Sequence, residues 1–111
     1  MNDILKEVES LKDLIILSDE YKNYDKYLKK IKNNKTINLL INKIKKTQKD
    51  LLKNEIKNID NTLLEKQIDE YYNELYLEED YLKYIHASKE LNDLLTILKM
   101  NFENYFNSLI E

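Results

Sequence analysis

The residues with the widest chemical reach in this chain are carboxylates. Glu65, Asp69, Glu70, Glu74, Glu78, Glu79 and Asp80 crowd a short stretch, and neighbouring acids are what proton transfer or a divalent cation would use. A catalytic acid must be buried to shift its pKa, whereas this run falls on the polar side of its segments and reads as a solvated face. His86 is the single histidine. A Glu-x-x-His metal pair would need Glu at position 83, which is Lys, and no Cys or second His offers another ligand. It reads as a surface or partly packed imidazole. Ser10, Ser18, Ser88 and Ser108 sit in helical or capping contexts, and a chain without glycine cannot build the sharp elbow that exposes a nucleophilic serine. With no cysteine there is no disulfide and no thiolate. No catalytic residue, metal site or cofactor is expected.

A second chemistry is electrostatic. Residues 22–53 hold eleven Lys against Asp25 and Asp50, while residues 54–80 hold nine acids against Lys57 and Lys66. Opposite blocks this close suggest two antiparallel helices whose exposed faces attract, or a polar self-association surface. Lys29, Lys30, Lys32, Lys35, Lys43, Lys45, Lys46, Lys49 and Lys53 could also meet a phosphate backbone, with Tyr24 and Tyr27 near for stacking. The absence of Arg, the net charge of −3 and the lack of a nucleic-acid motif weigh against it. Direct RNA binding by this Lys-rich face is therefore the alternative reading. All eighteen basic residues are Lys, Asn and Ile are abundant, and Gly and Pro are absent. An A/T-rich genome explains that bias, which weakens arguments from composition alone.

The elements that would carry these groups are helical throughout. The organising stretch is 80–110, with Asp80 as its expected N-cap and apolar residues at Leu82, Ile85, Leu91, Leu94, Leu95, Leu98, Phe102, Tyr105, Phe106 and Leu109. Such a helix spans about 45 Å, against a radius of gyration of about 13 Å for a chain of this length. Earlier helices are expected over 3–17, 19–32, 37–56 and 62–76, and the last over 80–109. The first has a stripe of Ile4, Val8, Leu11 and Ile15. Ser18 caps the second or bends one longer helix. Thr36 is expected to cap the third, and the polar stretch 57–62 forms a short turn into the fourth. The fold class is all-α: a single domain over 1–111, built as an elongated antiparallel bundle of about five helices. The third and fourth are expected to form a hairpin. No segment approaches the ~20 apolar residues that span a bilayer, and no signal peptide is evident, so a cytoplasmic protein is expected.

Two polar residues interrupt apolar stripes. Gln48 reads as an edge residue bonded to water or a neighbour. Asn92 reads as an amide that fixes helix register or oligomer state, so Asn92→Leu should raise thermal stability and broaden the oligomer distribution. The last helix carries more apolar surface than one hairpin needs. Leu91, Asn92, Leu95, Leu98, Phe102 and Tyr105 are accordingly the candidate oligomer or partner interface, in a dimer or higher homo-oligomer.

Three segments point to a family: Leu-Ile-Ile-Leu-Ser-Asp-Glu-Tyr at 14–21, Ile-Asn-Lys-Ile-Lys-Lys-Thr-Gln-Lys at 41–49, and Glu-Leu-Asn-Asp-Leu-Leu at 90–95. In that order, with an acidic helix between the last two, they resemble the bacterial YlbF/YmcA family over nearly the whole chain. The resemblance implies an all-helical, non-catalytic protein that forms dimers or higher oligomers in the cytoplasm. Members act as regulatory partners in a small protein complex linked to competence, biofilm formation, sporulation and the action of ribonuclease Y on messenger RNA. The cysteine-bearing C-terminal tail of some members has no counterpart up to Glu111, so an iron–sulfur role does not carry over.

Overall fold

With neither Gly nor Pro to break it, the chain must use capping side chains to end its helices, and the computed structural model shows where it does so. It describes residues 2–110 and, among them, five α-helices and no strand. These are α1 Asn2–Ile16, α2 Asp19–Lys32, α3 Lys35–Ile56, α4 Thr62–Leu75 and α5 Glu79–Ile110. The all-α class read from periodicity is the class found.

Each junction has a local cause. Between α1 and α2, the Ser18 hydroxyl accepts from the Tyr21 amide at 3.2 Å and donates to the Ile15 carbonyl, closing one helix and capping the next. Between α2 and α3 the work falls to Asn34, not Thr36. The Asn34 side chain accepts from the Ile37 amide at 3.0 Å, so α3 starts two residues earlier than expected. Asn38 then reaches back and donates to the carbonyls of Ile31 and Lys32 at 3.1 and 3.0 Å, satisfying the open end of α2.

The α3–α4 turn is made without glycine. Asn58 adopts φ 55°, the left-handed conformation that Asn tolerates best after Gly. Its amide bonds to the Glu55 carbonyl and the Ile59 amide to the Asn54 carbonyl, the paired bonds of a Schellman ending. Asp60 then accepts from both the amide (3.1 Å) and hydroxyl (2.6 Å) of Thr62 to open α4. Asn61 instead donates to the Leu51 carbonyl at 3.4 Å. At the last junction α5 begins at Glu79, and the Leu82 amide bonds to the Glu78 carbonyl. Asp80 therefore lies in the first turn, where its charge suits the helix dipole, and is not the cap. Glu79 bonds Lys83 at 2.9 Å one turn on. That bond, then the lysine's attraction, holds the carboxyl below its ordinary pKa.

Contacts divide the chain into two compact units that share α2 and α5: Met1–Tyr27 with Tyr84–Glu111, and Leu28–Lys83. In the second unit α3 and α4 pack against each other as the expected hairpin. Ile31, Ile37, Leu40, Ile44 and Leu75 are buried there, Ile37 completely. Thr47 is buried among them, its hydroxyl donating to the Lys43 carbonyl at 2.8 Å. Gln48, the next residue, is exposed. Side chains one position apart differ by about 100° around a helix, enough to move from core to solvent. Among its described residues the first unit buries Ala87 and Leu91 alone.

Candidate functional site

The first unit leaves apolar side chains of α1 and of the end of α5 uncovered along adjoining grooves, and the second exposes Leu39, Leu52, Ile56, Leu63 and Leu77 as well. On α5 the buried residues Ala87 and Leu91 begin a stripe that continues, three or four residues at a time, through Leu94, Leu98, Phe102, Tyr105, Phe106 and Leu109. Leu94 and Leu98 are half-buried, and every residue from Lys99 to Ile110 is exposed. One stripe therefore changes from core to surface along a single unbroken helix. Leu82 and Ile85, counted with it on spacing, are exposed and lie off it, and Ala87 takes the buried position.

Helix α1 is the counterpart. None of its side chains is buried. Leu11 and Ile15 are half-covered, whereas Ile4, Val8 and Leu14 are 59–68 % exposed. Two open apolar grooves run between α1 and α5 within this unit. One, of about 430 Å³, is lined by Ile4, Val8, Leu11, Leu14, Phe102 and Phe106, with Glu7 and Ser10 at its edge. The other, of about 400 Å³, is lined by Val8, Leu11, Ile15, Ile16, Leu91 and Leu95, with Lys12 and Tyr21. Val8 and Leu11 line both, so the grooves adjoin. The rings of Phe102 and Phe106 stack at 6.1 Å and 22°, giving the outer groove a flat aromatic wall.

At the other end of the unit three tyrosines tie α2 to α5. Tyr24 lies 6.4 Å from Tyr21 and 5.7 Å from Tyr84, ring centre to ring centre. The hydrogen bond to Tyr84, then burial, raises the pKa of the Tyr24 phenol. This cluster joins α2 to the part of α5 that is covered.

The sequence-based candidates fall unevenly on this surface. Leu91 is 8 % exposed and lies at its inner margin. Leu95, Phe102 and Tyr105 are exposed and Leu98 is half-buried. Asn92 is exposed and about 100° off the stripe, so it is not a buried amide within the chain. Phe106 and the α1 residues Ile4, Val8 and Leu14 complete the surface and were absent from the set. Their signal was present, a clear apolar stripe on α1, but periodicity alone reads the same for a stripe facing a core and one facing a partner.

The candidates for chemistry are scattered. His86 is exposed and sits 3.1 Å from Glu90 one turn on. Ser10 is exposed, and Ser108 donates to the Tyr105 carbonyl at 2.7 Å. Glu65, Asp69, Glu70, Glu74 and Glu79 are exposed, with Glu78 and Asp80 half-covered. No group of three or more acids or histidines able to hold a metal occurs among the described residues. No helix among them is long and apolar enough to cross a membrane.

Capped helices, a hairpin and an apolar face left open on α1 and α5 define an all-helical module of the kind that packs against other helices. The sequence matches the family described as "Control of competence regulator ComK, YlbF/YmcA" over residues 4–103, and the chain belongs to that family. A comparison with curated protein sequences gives no match. Among solved structures, it is similar to a chain in the crystal structure of Bacillus subtilis RicA in complex with RicF. The TM-score is 0.83, with coverage of 98% of this chain and 97% of that one. At 16% identity that likeness concerns the fold.

Proposed function

We propose that this protein is a non-catalytic regulatory adaptor that works by docking other helical chains on the α1–α5 face. The observation that carries this reading is the stripe on α5, which is core at Leu91 and bare at Phe102, Tyr105 and Leu109. Large aromatic and aliphatic side chains left in water at this density cost about 25 cal/mol for every Å² that a partner could cover. The family's description as competence control and the presence of a second protein beside RicA in the related structure support a partner-dependent role. The face suits self-association as well as a heterologous partner, because a pair of exposed helical stripes is the raw material of a four-helix bundle. Action in the cytoplasm on messenger RNA processing by ribonuclease Y is the finer form of the proposal.

Purification of the tagged chain from its own cells tests it. A small set of proteins should accompany the native chain in fixed ratio and be lost with Phe102→Ser/Phe106→Ser, both exposed positions that leave the buried residues intact. Retention of the same proteins by that variant would move the docking site elsewhere.

A further inference from the structure

A different surface, in the other unit, carries an inference that does not depend on the docking face. The buried side of α3 holds Ile37, Leu40, Ile44 and Thr47. The opposite side carries Lys35, Lys46, Lys49 and Lys53, all exposed. Spacings of eleven, three and four residues put the four in one row, about 27 Å long at 1.5 Å per residue. Lys43 is not part of it, since its ammonium lies 5.7 Å over the Tyr71 ring on the α4 side. None of the four is in an ion pair among the described residues. Over residues 35–53 the only acid is Asp50, so the net negative charge of the chain resides elsewhere.

We infer that this row binds the phosphodiester backbone of a single-stranded nucleic acid. Three observations select that partner. Exposed apolar residues beside the row are few, Leu39 along it and Leu52 and Ile56 at its C-terminal end, whereas a protein interface draws its affinity from a cluster of desolvated apolar anchors and is depleted in Lys. Phosphate binding needs no such anchors, because release of condensed counterions drives it. Second, the apolar side of α3 is occupied by α4, so the helix has no face to insert into a lipid surface. Third, the row is straight and stands on a convex helix. A duplex cylinder would touch it at one or two points, while a flexible strand can follow it. Lysine ammonium groups are point charges without the planar fork that reads a base edge, so binding is independent of sequence and of the sugar.

Fluorescence anisotropy of labelled fifteen-nucleotide oligo(U) and oligo(dT) provides the test. Both strands should bind alike at about 20 mM salt, and four phosphate contacts should weaken affinity roughly fifty-fold between 50 and 200 mM salt. Lys46→Gln/Lys49→Gln/Lys53→Gln should reduce that salt effect to about threefold. The matching triple Arg variant should bind as the native chain does, which separates charge from folding. Lys6→Gln/Lys99→Gln, on α1 and α5, should change nothing. Failure to bind at low salt, or native affinity in the triple Gln variant, would overturn the inference. Equal displacement by polyglutamate of the same length would overturn it in favour of an acidic protein.

Discussion

Single residues decide how this glycine-free chain turns, and Asp60 is the clearest case. It is fully exposed, yet its hydrogen bonds from the Thr62 hydroxyl and then the Thr62 amide hold its pKa below the ordinary value. A folded-state pKa lowered in this way gives stability that is present above the ordinary aspartate range and is lost as pH falls through the folded value. The start of α4 should therefore loosen only in acid. The Thr62 amide resonance should titrate with a midpoint below that of an unstructured aspartate, about 3.9. A midpoint at or above that value would show the cap is not formed in solution. The sequence did not single out Asp60, because in a stretch containing Asn58, Asp60, Asn61 and Thr62 every residue is a competent cap. Only the backbone conformation chooses among them.

Helices were the most legible scale. Apolar residues at three- and four-residue spacing marked every segment, and the α3–α4 hairpin followed from its short polar connection. Helix starts were less legible. Thr36 and Asp80 are good caps by type, but Asn34 and the Glu78 carbonyl hold those positions. Asn34 serves both helices, since its amide bonds the Ile31 carbonyl at the end of α2 while its side chain opens α3. The ending of α3 offers the sharpest test. Asn58 occupies a left-handed position that glycine fills without steric cost. Asn58→Gly should leave stability unchanged or raise it by up to about 1 kcal/mol, and Asn58→Ala should lower it by about 1 kcal/mol. Urea unfolding of the two variants checks the order, and a more stable Ala variant would mean the Schellman turn is not populated.

At the scale of the molecule, the two units differ in how they treat apolar side chains. The unit around α3 and α4 encloses Ile37 and Leu75 almost completely, whereas α1 encloses nothing and the last turns of α5 stand open. An apolar surplus is legible on the last helix, and so is the α1 stripe, but the sequence does not say what that stripe faces. Ile4, Val8 and Leu11 have the spacing of core residues because a partner-facing stripe obeys the same periodicity. What covers it depends on a second chain, which no single-chain pattern encodes. The central claim is that a second copy of the chain covers this face whenever no other helical protein does. Sedimentation equilibrium of the purified protein across micromolar concentrations is its most direct test. A particle of at least twice the 13.5 kDa of one chain, dissociated by Phe102→Ser/Phe106→Ser, is the expected result. A native protein that sediments as a single 13.5 kDa chain at every concentration, unchanged by that substitution, would contradict the self-association on which the account rests.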